Sequence, residues 1–369
     1  MSNGPTVLIE QANSRYTMIA VVEQDERTAY FYLYPAELHS KKYRMRACWL
    51  RNLQPGLSQR DSAAMENGDA PMLEAQFTNH PQGKAPLKAE LLSIVWMPEE
   101  DGAAVLYDGE TLGVIPGWSL YTEEPVSYAA DCINADANAL VFPLGQPGMN
   151  EQHKHVADAV DFRQKWESTE KPQWPVIQEQ FIAAYERHFG KMLQYFAIDN
   201  NQWPPMALGK FEKDNVVYFL SMGVSIRPMP WVSYLYNDNA SAYRRMEIAL
   251  AVSRDDYTEE EITRMAEGIS GMVDIPWRHI SWLGEGHTVG SGKLPAPFES
   301  IVLSAALYNG EGIEMPEMYG DKVNLFWTSP ITLSEREFAH RRPNGGYELL
   351  EKMIEGDVTH IVRKRKAIV

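Results

Sequence analysis

The chain has 369 residues, of which 44% are hydrophobic and 11% aromatic. That length exceeds one comfortable hydrophobic core and, at roughly 150 residues per domain, points to two domains or three. Fifty acidic residues against thirty-four basic ones give a formal charge of −16; this repels a phosphate backbone, disfavours general nucleic-acid binding and favours a basic protein partner.

Apolar runs such as residues 91–97 fall far short of the roughly 20 residues a membrane span needs. The opening Met1-Ser2-Asn3-Gly4-Pro5-Thr6 has neither the basic start nor the apolar stretch of a secretory leader. A cytoplasmic protein without membrane attachment is the expectation. The two cysteines, Cys48 and Cys132, lie in different segments without metal-ligand spacing. They are expected as reduced, buried thiols, and neither a disulfide framework, a zinc site nor any cofactor is indicated.

Residues 16–34 predict a β-hairpin, with Gln24-Asp25-Glu26-Arg27 as its polar turn, and residues 45–50 a third strand. Residues 54–88, rich in Pro, Gly, Asn and Ser, predict a long loop with one helical turn near 62–66. A second meander follows at 89–97, 103–107 and 111–116, turned by Asp108-Gly109. Short strands with turns between them predict a small antiparallel sandwich or barrel-like domain. The expected division is a β-rich domain over 1–150, a helix and linker over 151–172, and a second domain over 173–369.

The linker helix has Val156, Ala159 and Val160 at i, i+3, i+4, with Arg163 interrupting the stripe. After the linker at 167–172, Pro175 falls in the first turn of a helix carrying Ile177, Phe181, Ala184, Tyr185 and Phe189. Strands are expected at 193–198, 216–226, 246–253, 279–283, 301–307 and 323–328. Between them, Thr258 and Glu261 form a capping box for a helix over 258–272 with Ile262, Met265, Ala266 and Ile269 on its apolar face. Pro330 cannot donate to a ladder, so the last strand should end there or lie at a sheet edge. Ser334 and Glu337 suggest a further capping box, Gly345 and Gly346 a helix stop, and Leu350, Met353 and Ile354 the stripe of a final helix closed by Gly356. The fold class is therefore α+β, or mixed α/β: an antiparallel β-rich N-terminal domain, then a mixed sheet flanked by helices.

The order Asn324-Leu-Phe-Trp-Thr-Ser-Pro-Ile-Thr-Leu-Ser-Glu-Arg-Glu-Phe338, a Gly-Gly break and a Leu-Leu helix resembles the closing segment of the suppressor of fused domain. Arg245-Met-Glu-Ile-Ala-Leu-Ala-Val-Ser253 and Ile280-Ser-Trp-Leu-Gly-Glu-Gly-His-Thr-Val289 match the same family in the same order. The resemblance covers about half the chain. It implies a non-enzymatic module that binds another polypeptide; eukaryotic members, with a second lobe, clamp a transcription-factor peptide as an added strand. Bacterial members are associated with toxin systems in an immunity role, which suits an acidic chain facing a basic toxin. Here the extra domain precedes the matched region instead of following it, so no peptide-contacting residue is carried over. A cleft between the domains would be the natural place for a ligand.

Three constellations invite chemistry. Gly284-Glu-Gly-His-Thr-Val-Gly290 is glycine-rich but lacks both the Walker ending and the full dinucleotide fingerprint, so a tight connecting loop oriented by His287 is the better reading. In His153, His155 and Asp158, helix positions two apart cannot share a metal, whereas His155 and Asp158 could; exposed polar residues of the linker helix are the expectation. The short basic run Arg363-Lys-Arg-Lys366 is expected to be a solvated end that could touch an anion. The rings Trp231, Tyr234, Tyr236, Trp277, Trp282 and Trp327 are expected mainly in the core, with any exposed ones serving as interface anchors. Candidate partner-binding residues are Trp231, Tyr234, Trp277, Trp282, Glu285 and His287. The alternative is a hydrolase-type enzyme using Glu285 and His287, which requires those side chains to converge in a pocket with a perturbed pKa.

Overall fold

The computed structural model describes residues 4–123, 126–136 and 139–369; the triplet 1–3, on which the leader reading partly falls, lies outside the described residues. The chain divides into two compact units, Met1–Thr169 with Trp277–Ile280, and Glu170–Pro276 with Ser281–Val369.

In the first unit β1 (Thr6–Ala12), β2 (Met18–Gln24), β3 (Thr28–Pro35) and β4 (Arg46–Asn52) form an antiparallel sheet in chain order. The expected hairpin is β2–β3, and the Asp25 carboxylate shapes its turn by accepting from the amides of Arg27 and Thr28. The strand β1 was not anticipated; a bulge between Val7 and Ile9 breaks the alternation by which strands are recognised. The helical turn near residue 62 is α1 (Ser62–Asn67), capped by Asp61 and closed by Gly68 at φ 78°.

A second sheet joins β5 (Leu92–Trp96), β6 (Ala103–Tyr107), β7 (Glu110–Ile115), β8 (Tyr128–Ala129) and β9 (Phe142–Pro143), antiparallel except for β8–β9. Strand β7 lies against β4 so closely that a Cβ at Gly113 would stand 2.4 Å from a Leu50 methyl carbon. Cys48 is buried there, and burial pushes its thiol up to about 12; Cys132 is also buried and unpaired. Helix α2 (Glu151–Glu167) covers the second sheet, with Val156 and Ala159 joining Val95, Val114 and Leu144 in one core. Arg163, which interrupts the apolar stripe, donates to the Ile94 carbonyl.

The second unit opens with α3 (Gln173–Phe189), in which all five residues expected to face inward are buried. Then come β10 (Gln194–Ala197), β11 (Ala207–Lys213), β12 (Val216–Met222), α4 (Val232–Tyr236), β13 (Arg245–Ser253), α5 (Glu259–Ser270), α6 (Ile275–His279), whose residues from Trp277 onward group with the first unit, and β14 (Thr288–Gly290). They are followed by β15 (Phe298–Ser304), β16 (Val323–Thr332), α7 (Leu333–His340), α8 (Gly345–Glu355) and β17 (Ile361–Val362). The strands make one mixed sheet in the order β10-β11-β12-β13-β16-β15-β14, with β17 beside β13. Strands β16 and β17 run parallel to β13 and the other pairs are antiparallel. All nine residues of β13 are buried, as expected of a strand covered on both faces. Helix α5 begins with the anticipated Thr258–Glu261 box and buries Ile262, Met265, Ala266 and Ile269.

Several local expectations are corrected. Of the two places expected for Pro330 the sheet edge is the one found, and strand β16 extends past the expected 328 to Thr332. Its pairing with β13 ends at Trp327, while β15 continues alongside with Ile301 opposite Pro330, so the proline sits where one side of the strand is locally an edge. The capping box is Thr332–Glu335, not Ser334–Glu337, because the strand passes directly into α7; Thr-x-x-Glu satisfies the same chemistry two residues earlier. Gly345 and Gly346 do not stop a helix but open α8, whose buried face is Leu349, Leu350 and Met353, while Ile354 is exposed. Residues 279–283 form no strand, since α6 occupies the preceding segment, and residues 224–226 are a 3-10 turn after β12.

Two glutamates without exposure are built into this core. Glu247 on β13 is fully buried; burial pushes its carboxyl up while hydrogen bonds from the Ser221 and Ser225 side chains and the Ser225 and Gly223 amides oppose the rise. The hydroxyls lie at 2.5 and 2.6 Å and both amides at 3.0 Å. Glu335 is equally buried and receives Arg365, the Thr332 hydroxyl and amide, and the Ile368 amide. The basic end is thus not free: Arg363 pairs with Asp256, and the Lys364 ammonium lies 5.5 Å from the centre of the Tyr257 ring.

Candidate functional site

The rings of the second unit divide into two sets. Trp327 on β16 is core: it stacks on Tyr308 at 5.0 Å and meets His360 edge-on at 4.5 Å and Tyr218 at 6.3 Å. The other set lies on the connections around α4 and before β14. Helix α4 has only five residues and is bracketed by two non-glycine residues with positive φ, Trp231 at 69° and Asn237 at 44°. Such backbone is costly for residues with a Cβ and persists only where the surroundings enforce it. Between them the helix presents Tyr234 and Leu235 to solvent.

Trp231 and Tyr234 meet edge to face at 6.3 Å. Tyr236, at the end of α4, stacks on Tyr243 at 4.4 Å and takes the edge of Trp282 at 5.6 Å. Trp282 in turn packs on His287 at 4.3 Å. Burial raises the Tyr236 pKa, with Tyr347 and Tyr243 close enough to add to it. Tyr234, Tyr243 and Tyr347 are all exposed, each by between 45% and 52%. The result is a run of rings whose undersides are packed and whose outer edges meet water, the form of side chain that anchors protein interfaces at low entropic cost.

Of the six candidates, the structure brings Trp282 and His287 into contact and seats Trp231 with Tyr234 at the start of α4. Trp277 is buried and groups with the first unit. Glu285 is committed elsewhere: its carboxylate accepts from the Ser304 hydroxyl at 2.5 Å and from the amides of Ala305 and Ala306 at 2.7 and 3.4 Å. His287 is partly buried, which lowers its pKa against a hydrogen bond with the Trp282 backbone that raises it. The two side chains therefore serve different neighbours and do not converge as an acid–base pair. Tyr236, Tyr243 and Tyr347 join the surface without having been singled out as partner-binding residues; Tyr243 and Tyr347 lie in unrelated segments that only the fold draws together.

The loop carrying Glu285 and His287 is held by its backbone. The Gly286 amide donates to Leu303, whose own amide donates to the His287 carbonyl. Gly286 has φ 77°, as a tight connection requires, and its backbone abuts Gly346 at the start of α8. Two glycine motifs far apart in the chain thus form one contact. Residues 193–365 match the family described as suppressor of fused protein (SUFU). This part of the chain is a suppressor of fused domain. It spans β10 to the basic end, including every ring of the exposed set, while the sheets of the first unit precede it. A search of the curated proteins found no match to the chain.

In α2, His153 contacts the Gly145 carbonyl at 3.0 Å, whereas His155 and Asp158 are exposed. Among the described residues no helix is long and apolar enough to cross a membrane.

Proposed function

We propose that the suppressor of fused domain binds another polypeptide without catalysing a reaction, and that the surface of Trp231, Tyr234, Tyr236, Tyr243 and Trp282 grips it. One observation carries the proposal: Tyr234 and Leu235 stay exposed on a helix held between two residues of unfavourable backbone geometry. A core would bury them, and a solvated loop would not hold them. The formal charge of −16 favours a basic partner. A basic toxin neutralised by this chain as an immunity protein in the cytoplasm is the form of the proposal that joins charge and family.

The test is titration calorimetry of the purified chain against the product of a toxin-like gene beside its own. Binding without turnover of that product is expected, with Tyr234→Ala and Trp282→Ala each weakening it at least tenfold while circular dichroism is unchanged, the loss typical of an aromatic anchor. Unchanged affinity in both variants would remove this surface from the proposal.

A further inference from the structure

The mixed sheet ends in two edge strands of different character. Strand β14 has three residues and offers little to pair with. In the first unit, β1 is bulged and carries Glu10, and β5 has its Ile94 carbonyl taken by Arg163. These are the ordinary protections against edge-to-edge association. Strand β10, four residues long, lacks the others: residues 192–198 read Met-Leu-Gln-Tyr-Phe-Ala-Ile, with no charge, proline or bulge within the paired strand.

Its register leaves a definite set of groups unused. The Leu193 and Ile198 amides donate to the Lys210 and Met206 carbonyls, and residues 194 and 196 lie opposite 210 and 208. In an antiparallel ladder alternate residues bond to one neighbour, so the backbone groups of Tyr195 and Ala197 point away from β11. The side chains of Leu193, Tyr195 and Ala197 share one face, and all three are exposed, Leu193 by 60% and Tyr195 by 37%.

We infer that β10 pairs with β10 of a second copy of this chain, antiparallel about a twofold axis through Tyr195. That register sets Tyr195 opposite Tyr195, Leu193 opposite Ala197 and Lys191 opposite Asp199, so the apolar residues cover one another and opposite charges stand at both ends; Tyr195 exchanges two hydrogen bonds with its copy and each Ala197 amide donates to a Leu193 carbonyl, while the Leu193 amide stays with Lys210. The Lys191 side chain is 87% exposed while pairing with Glu186, and Asp199 accepts from the amides of Asn201 and Met206. The contact is isologous, and it joins two mixed sheets into one continuous sheet. It uses none of the rings of the proposed partner surface, so either proposal can fail without the other.

Sedimentation of the full chain over a concentration series tests it. The expected mass rises from 41.9 kDa toward twice that value. Ala197→Pro removes an amide that faces outward and none that serves β11, so it should hold the protein at 41.9 kDa with unchanged circular dichroism. Tyr195→Lys, which sets two ammonium groups opposite each other, should do the same and serves if the proline variant misfolds. Lys191→Glu should weaken the dimer at least threefold at low salt and less at high salt. A wild-type chain that stays at 41.9 kDa at every concentration, or folded Ala197→Pro and Tyr195→Lys variants that associate like the wild type, would overturn the inference.

Discussion

A Cβ placed on Gly346 would stand 2.2 Å from the carbonyl oxygen of Gly286. The obstacle is backbone, so the fold can admit a methyl group only by moving α8 away from the loop that carries His287. Gly346→Ala should therefore cost about 2–3 kcal/mol, in the range of overpacked cores. Gly290→Ala is the control: its Cβ would meet nothing within 4 Å, and a change within about 0.5 kcal/mol is expected. Urea unfolding followed by tryptophan fluorescence compares the two.

Arg365 answers a carboxylate that is 0% exposed. Burial alone would raise the Glu335 pKa, but Arg365, Thr332 and the Ile368 amide outweigh it and hold the carboxyl below its ordinary value. The stabilisation is therefore fully present above the unfolded value of about 4.3 and is lost as pH falls through the lower folded value. Arg365→Ala should destabilise the second unit by about 3 kcal/mol at pH 7, because it strands a buried charge. Adding Glu335→Gln should recover part of that loss, and additive losses in the double variant would show that the two side chains do not act as a pair.

His360 lies among Tyr218, Tyr308 and Trp327, and its Nδ1 has no hydrogen-bond partner. Burial lowers its pKa to about 4. The unfolded chain, near 6.5, thus binds the proton more readily, and this contribution to stability is complete above 6.5 and lost as pH falls toward 4. Across that window it amounts to roughly 3 kcal/mol. Melting temperatures from pH 7 to 4 should fall less steeply in His360→Phe than in the wild type. Parallel curves would mean that the imidazole is not the group responsible.

Glu247→Ala should be among the most damaging single changes in the sheet. It leaves two hydroxyls and two amides without their acceptor inside the core, at about 1–3 kcal/mol for each donor not otherwise satisfied. Chemical denaturation gives the loss. A cost below about 1 kcal/mol would mean that the turn after β12 finds other partners.

Periodicity revealed what is locally determined. The inward face of α3, the box of α5 and the hairpin β2–β3 depend on neighbours within a few positions, and they stand where the pattern puts them. The α7 box was misplaced because Thr332-x-x-Glu335 and Ser334-x-x-Glu337 are equivalent as patterns; what separates them is Arg365, about thirty positions away, which draws Glu335 inward. Gly345 and Gly346 looked like a stop for the same reason, since the close approach that requires Gly346 comes from Gly286. The candidate surface was half legible. Trp231, Tyr234 and Trp282 belong to a conspicuous ring supply, whereas Tyr243 and Tyr347 join it only through the fold, and Glu285 was claimed by Ser304.

The change of parallel partner along β13, from β16 up to Ala249 to β17 from Ala251, also bears on the order in which the sheet can assemble. Strands β11, β12 and β13 pair with near neighbours, but Ala251 finds its parallel partner only in Ile361. Contacts so remote along the chain form slowly, because the intervening loop must close first. The antiparallel part of the sheet should therefore acquire protection early in refolding and the parallel seam beside β13 late. Pulse-labelled hydrogen exchange should accordingly find the amides of Ile361 and Val362 protected after those of β12.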